Sequence, residues 1–269
     1  MRLISICPSN TEILAYLDLT GQLVGVDDFS DWPSSISSLP KLGPDLSIRM
    51  DDLEKLNPDL VLASLSVPGM EKNIEELKKR EIPHVVLDPQ SLSDIIRDIR
   101  TVGDLCGASE RASQVIEEMS GVIQSCKDIS STLEQKPSLY WEWWPKPVFT
   151  PGKTNWLTEL SELAGAVNLF SDVELASVQT DWEDVLKRNP DFICLAWVGV
   201  HKKKVNPAIV KKRPGWEKLL AVQEDKIEVL EEALYCRPSP RLLEGLIHLA
   251  KRIHPGQYSG IELPSSIQK

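Results

Sequence analysis

An internal repeat constrains this chain more than any other feature. Leu53-Glu54-Lys55-Leu56-Asn57-Pro58-Asp59-Leu60-Val61-Leu62-Ala63 aligns without a gap with Val185-Leu186-Lys187-Arg188-Asn189-Pro190-Asp191-Phe192-Ile193-Cys194-Leu195, 132 residues later. In each copy a helical stretch stops at Asn-Pro-Asp, where proline cannot continue a helix, and a buried strand follows. A second match pairs Pro8-Ser9-Asn10-Thr11-Glu12-Ile13-Leu14 with Pro151-Gly152-Lys153-Thr154-Asn155-Trp156-Leu157, at an offset of 143. Two matches in the same order indicate duplication. A length of 269 residues is enough for one large domain or two modest ones, each with its own core.

The pattern around the repeat gives the fold class. Short apolar runs at Leu3–Cys7, Leu23–Asp27, Asp59–Ser64 and His84–Asp88 alternate with helical patterns at Asn10–Leu19, Met50–Leu56, Glu71–Arg80 and Ser91–Leu105. In the last, Leu92, Ile95, Ile96, Ile99, Val102 and Leu105 recur at helical spacing. A single helix of ~25 residues, roughly 37 Å at 1.5 Å per residue, is expected from Ser109 to about Leu133. The alternation then resumes, with strands at Ser138–Trp144, Phe192–Trp197 and Ile227–Glu231. Helices are expected at Lys153–Leu163, Thr180–Lys187 and Ser239–Ile253, with Trp216–Leu220 a further short element. The expected architecture is therefore α/β: two Rossmann-like lobes with mostly parallel sheets, bridged by one long helix, with a ligand cleft between the lobes. The expected division is 1–107 for the N-terminal lobe, 108–136 for the bridging helix and 137–269 for the C-terminal lobe.

Composition removes several function classes. Thirty Lys+Arg stand against 40 Asp+Glu, a formal charge of −10, which repels phosphate backbones and argues against a nucleic-acid partner. No apolar run reaches the ~18 residues of a membrane helix. Lys153-Thr154 follows Gly152, but Pro147 stands where a phosphate-binding loop needs glycine. No Gly-x-Ser-x-Gly elbow occurs, and His84, His201, His248 and His254 lack metal-ligand spacing. His201-Lys202-Lys203-Lys204 reads most simply as a solvated loop. No catalytic residue, metal site or resident cofactor is expected.

The five cysteines, Cys7, Cys106, Cys126, Cys194 and Cys236, are odd in number and scattered, which favours buried free thiols over a disulfide framework. Met1-Arg2-Leu3-Ile4-Ser5-Ile6 enters the first strand with no leader pattern. The chain is expected to be cytoplasmic if Met1 is its native start, and extracytoplasmic (periplasm or cell surface) if a leader was removed.

A parallel sheet binds ligands beyond the carboxyl ends of its strands. Those tips are Cys7–Asn10, Asp28–Trp32 and Leu65–Gly69 in the first lobe, and Trp141–Trp144, Trp197–His201 and Ala233–Arg237 in the second. Eight tryptophans, against four Tyr and four Phe, concentrate there. Tyr140-Trp141-Glu142-Trp143-Trp144 is denser in large aromatics than a core strand requires, because strand alternation sends its rings to both faces. Trp197 ends a strand, and Trp32 and Phe29 share a turn. Each could be core packing; their shared placement points instead to an aromatic-walled cleft. With Asp28, Ser66, Glu142 and Arg237 as polar groups, that cleft suits a large, flat, amphipathic solute and implies binding without chemistry.

The sequence also resembles a known family. Ile4-Ser5-Ile6-Cys7-Pro8-Ser9-Asn10-Thr11-Glu12, Val24-Gly25-Val26-Asp27-Asp28-Phe29-Ser30-Asp31-Trp32-Pro33, Asn57-Pro58-Asp59-Leu60-Val61, Phe149-Thr150-Pro151-Gly152-Lys153 and Arg237-Pro238-Ser239-Pro240-Arg241 are similar to the cobalamin (vitamin B12)-binding proteins of ABC importers, within the wider siderophore, haem and B12 group of periplasmic binding proteins. The resemblance covers nearly the whole chain. It implies that a corrinoid is the transported ligand, gripped by Phe29, Trp32, Trp141, Trp143, Trp144, Trp197 and Tyr235 with Arg237 as a polar contact. It also implies little closing motion, a monomeric protein, and an ABC permease as partner that reads one acidic residue per lobe. Glu71 matches the first of these acids. The second is missing: Lys203 stands at the equivalent offset, and Val198–Pro214 contains no acidic residue. A ferric siderophore or haem binder of the same fold is the second reading. A cytosolic corrinoid carrier or tetrapyrrole-handling enzyme, or a scaffold whose tryptophans are all core, are the others.

Overall fold

The computed structural model describes residues 1–265, 267 and 268. In chain order its elements are β1 (Leu3–Ser5), α1 (Pro8–Tyr16), β2 (Leu23–Val26), α2 (Met50–Lys55), β3 (Leu60–Ser64), α3 (Glu71–Lys79), β4 (His84–Leu87), α4 (Leu92–Leu105) and α5 (Ser109–Thr132). The second half continues with β5 (Ser138–Glu142), β6 (Trp144–Pro145), β7 (Val148–Pro151), α6 (Trp156–Leu163), β8 (Val167–Asn168), β9 (Ser177–Thr180) and α7 (Trp182–Arg188). It closes with β10 (Phe192–Leu195), α8 (Ala208–Lys211), α9 (Leu220–Gln223), β11 (Ile227–Val229) and α10 (Leu242–Ile253).

The chain forms two compact units, Met1–Met119 and Ser120–Arg237 with Arg241–Leu263. Helix α5 is continuous across the division, so it is shared instead of forming a block of its own as the sequence suggested. Pro238–Pro240 and the described residues from Pro264 on belong to the first unit. There the Ser239 hydroxyl donates to Glu12 Oε2 at 2.5 Å, and the Tyr16 hydroxyl donates to the Ile267 carbonyl at 3.2 Å.

The first sheet runs β2-β1-β3-β4 and the second β8-β5-β10-β11, all pairs parallel. In order of appearance both read second-first-third-fourth, so the repeat in sequence is a repeat in topology. The Asn-Pro-Asp junction works the same way twice. Asn57 and Asn189 both adopt the left-handed conformation, at φ 45° and 52°, which asparagine tolerates better than other non-glycine residues. The aspartate two residues on then ties its strand to the first strand of its own sheet. Asp59 Oδ2 accepts the Arg2 N–H at 2.6 Å, and Asp191 Oδ2 accepts the Ser138 N–H at 2.7 Å.

Each sheet is covered on both faces, as parallel sheets require. In the first unit Ile4, Ile6, Leu53, Val61, Ala63 and Leu77 anchor one core. Helix α1 starts at Pro8, where a missing N–H costs nothing, and all nine of its residues are buried. In the second unit Tyr140, Phe170, Val185, Ile193, Leu195 and Trp216 form the core. The second unit also carries what the sequence reading lacked: a small antiparallel sheet, β6-β7-β9, inserted between β5 and α7. Residues expected to begin a helix at Thr180 instead end β9, and α7 starts after Asp181, whose side chain accepts the N–H groups of Glu183 and Asp184. The cysteines are all free, and all but Cys236 are buried.

The paired junctions make a paired prediction. Asn57→Ala and Asn189→Ala each lose about 1 kcal/mol of unfolding free energy, because alanine resists the left-handed region, whereas Asn57→Gly and Asn189→Gly lose less than half of that. Urea denaturation of the four variants checks it.

Candidate functional site: the aromatic strand tips of the two units

In each sheet the chain leaves the first strand toward one neighbour and reaches the third strand on the other side. The crevice at this reversal is where open α/β sheets bind ligands. In the second unit it lies beyond β5 and β10. Trp143 follows β5, Trp197 follows β10, and the Val198 N–H donates to the Trp143 carbonyl at 3.1 Å, so the two indole-bearing residues are neighbours. Both are partly exposed. The Trp143 Nε1 is buried without a hydrogen-bond partner. Trp144 is more exposed and sits on β6, its Nε1–H donating to the Lys146 carbonyl at 3.1 Å.

One buried ion pair fixes this tip. Glu142 Oε2 and Oε1 accept from Arg213 Nη1 and Nη2 at 2.6 and 2.7 Å, and neither side chain is more than 1% exposed. Glu142 also accepts the Tyr140 hydroxyl at 2.7 Å and the Trp197 Nε1–H at 3.1 Å. Burial, reinforced by the Glu142 carboxylate, holds the Tyr140 phenol well above its ordinary pKa. The Arg213 guanidinium lies between the rings of Trp182 and Trp216, at 4.8 and 4.5 Å from their centroids. Beside it Pro145, Pro147, Val148, Trp182, Leu186 and Pro214 line an open, mostly apolar pocket.

Three expected ligand contacts need correction. Trp141 is fully buried: its Nε1–H donates to Ser161 Oγ at 2.9 Å, and its ring packs 5.5 Å from that of Tyr235. Tyr235 is equally internal, its hydroxyl donating to the Gly245 carbonyl at 2.9 Å. Glu142 spends both oxygens on protein donors. The density of rings in β5 suggested a wet face, but this sheet is covered on both sides. Tyr140 therefore packs toward Phe170 and Trp216, and Trp141 packs toward Tyr235. Arg237 is mostly buried too, with its Nε 3.3 Å from Glu232. Trp182 and Arg213 were missed altogether. A lone arginine closing a lysine-rich run was the only local trace of the latter.

In the first unit the tips are quieter. Asp27, buried after β2, accepts the N–H groups of Phe29 and Ser30 at 2.8 and 3.0 Å and the Ser30 hydroxyl. A hydroxyl chain continues from Ser30 to Thr11 (2.7 Å) and from Thr11 to Ser5 (2.8 Å), locking this turn to β1. The turn displays Phe29, which is 49% exposed, and Trp32, whose ring packs tilted at 5.4 Å from that of Tyr16. Asp28 is exposed, with one oxygen accepting the Gly43 N–H at 3.0 Å. Ser66 is half-buried, 2.9 Å from the Ser64 hydroxyl. Glu71 opens α3, exposed, with Oε2 accepting the Gly69 N–H at 2.7 Å. Among the described residues no His/Cys/Asp/Glu group is placed to hold a metal ion, and no helix is long and apolar enough to cross a membrane.

Duplicated parallel units with partly exposed aromatics at their strand tips define a two-lobed solute-binding protein. Comparison with known proteins sharpens this. Residues 3–234 match the family model described as periplasmic binding protein. An uncharacterized ABC transporter substrate-binding lipoprotein of Bacillus subtilis is 30% identical over 262 residues, covering 96% of this chain and 81% of that protein. A vitamin B12-binding protein of Pectobacterium atrosepticum is 28% identical over 246 residues, covering 90% and 84%. The crystal structure of a possible iron-binding (periplasmic solute-binding) protein from Staphylococcus epidermidis superimposes with a TM-score of 0.79 at 29% identity, covering 94% of this chain and 98% of that one. The chain belongs to the periplasmic binding protein family. Its members are extracytoplasmic substrate-binding proteins of ABC transporters.

Two predictions follow from the tip geometry. Glu142→Ala leaves Arg213 buried and unanswered and costs about 3–5 kcal/mol of stability, while Glu142→Met with Arg213→Met recovers most of it; urea titration measures both. Burial raises Asp27 from 3.8 to about 6. The folded protein thus binds more protons than the unfolded chain between those values. The Asp27 contribution is fully present below about pH 4 and is lost as pH rises through 6, by at most about 3 kcal/mol. Asp98, also raised to about 6 by burial, acts with the same sign. The Asp27 share is therefore read as the difference between wild type and Asp27→Asn across pH 4–7.

Proposed function

We propose that this protein captures cobalamin or a related corrinoid and delivers it to an ABC importer. The observation that carries the reading is the pair of partly exposed indoles, Trp143 and Trp197, at the reversal point of the second sheet. Phe29 and Trp32 are displayed at the tip of the first unit. Large π-faces bind a flat, partly apolar macrocycle by area. The relative named for vitamin B12 supports this ligand, and the one named for possible iron binding supplies the rival. Trp144, Ser66, Asp28 and Arg237 complete the proposed contacts, and Glu71 is proposed to meet the permease.

Calorimetric titration with hydroxocobalamin, haemin and a ferric siderophore separates the readings. Saturable one-to-one binding of hydroxocobalamin alone is the expected result, and binding confined to haemin or the siderophore refutes the corrinoid reading. Trp143→Ala and Trp197→Ala each weaken corrinoid binding by about 1–3 kcal/mol, the worth of one buried large side chain. Trp141→Phe leaves affinity unchanged. Glu71→Ala binds normally and impairs only uptake in cells carrying the importer.

A further inference from the structure

Residues 198–214, which follow β10, carry Lys202, Lys203, Lys204, Lys211, Lys212 and Arg213 and no Asp or Glu, in a chain whose formal charge is −10. The structure sorts these cations by their surroundings. Arg213 is buried against Glu142, and Lys211 Nζ lies 2.6 Å from Asp225. Lys202 borders a groove that also holds Glu228 and Glu231. Lys203, Lys204 and Lys212 are exposed and have no ion-pair partner among the described residues. Their backbone is nonetheless held. Lys202–Lys204 form one tight turn capped by His201 Nδ1, which accepts the Lys203 N–H at 3.1 Å, while Val205 and Val210 are buried in the second core. Two large apolar side chains of the same segment stand in solvent, Val198 at 42% and Ile209 at 49% exposure.

We infer that this segment is a docking surface for anionic lipid headgroups. Its chemistry separates it from a protein interface. Protein interfaces are enriched in arginine and aromatics and depleted of lysine, because lysine is a flexible, strongly hydrated point charge with no planar fork. A diffuse anionic surface asks for no such geometry and gains from several lysines together, with apolar side chains entering the headgroup layer. The acidic remainder of the chain is repelled by the same surface, so adsorption through this segment fixes how the protein meets a bilayer. The inference goes beyond the ligand reading and does not depend on which ligand is bound.

Co-sedimentation of the ligand-free, full-length protein with vesicles tests it. Vesicles of 30% phosphatidylglycerol in phosphatidylcholine, at 50 mM salt, bind the protein. Pure phosphatidylcholine vesicles do not, and 500 mM salt releases it. The triple variant Lys203→Glu, Lys204→Glu, Lys212→Glu loses about a hundredfold or more in partitioning, whereas Lys55→Glu, Lys79→Glu, Lys187→Glu, with the same net charge, keeps most of it. Equal loss in the two variants, or no binding to the anionic vesicles, overturns the inference; the second outcome leaves an acidic protein surface as the occupant. Hydroxocobalamin titration of the same triple variant is unaffected, so failure here is distinguishable from failure of the ligand reading.

Discussion

The second unit is organised around one ion pair that water does not reach. A carboxylate and a guanidinium buried together must answer each other completely, since either one alone is among the costliest groups to leave in an interior. Glu142 and Arg213 meet through both pairs of terminal atoms, with only the Arg213 Nε left without an acceptor, and the remaining capacity of Glu142 goes to Tyr140 and Trp197. The pair thereby joins β5, the end of β10 and the segment ahead of α9, which lie far apart in the chain. The Trp197 indole is held by its nitrogen and packs in part against the core, which leaves only the rest of its ring exposed. A rigid ring loses little freedom when a ligand arrives, which is how a binding surface keeps its affinity.

The same economy operates in the first unit with hydroxyls gathered on one carboxyl. The chain of hydroxyls from Ser5 through Thr11 and Ser30 to Asp27 closes the turn that displays Phe29 and Trp32. Each donor there has an acceptor, so the turn is ordered from beneath while its aromatic side chains remain at the surface. The two units solve one problem, a stiff support under an apolar ring, with different chemistry on a common topology.

How much of this was legible in the amino acids follows from the range of each interaction. The Asn-Pro-Asp repeat is local, and it correctly announced two sheets of like connectivity. Helix α5 was equally plain, because Val115, Ile116, Met119, Val122 and Cys126 keep a helical period and are all buried. Trp141 was misjudged because strand alternation was taken to need one wet face, and a sheet covered on both sides does not supply one. The antiparallel β6-β7-β9 sheet escaped notice because its strands are short and broken by Pro145, Pro147 and Pro151. Glu142 and Arg213 are 71 residues apart, and nothing near either one signals the other. The aromatics at the strand tips are legible in the sequence, whereas the framework that aims them depends on contacts only the folded chain brings together.

The inserted hairpin has a consequence of its own. In the first half the chain passes from β1 almost directly into α1, a helix with no exposed residue, so that junction has no room to vary. In the second half β6 and β7 intervene before α6, and they carry Trp144 and Lys146 at the surface while Val148 packs into the second core. Substitutions at Trp144 and Lys146 change the exposed surface of this small sheet without touching the strands of the parallel one. The duplicated scaffold thus carries, in its second copy alone, a surface hairpin between the first strand and the helix that follows.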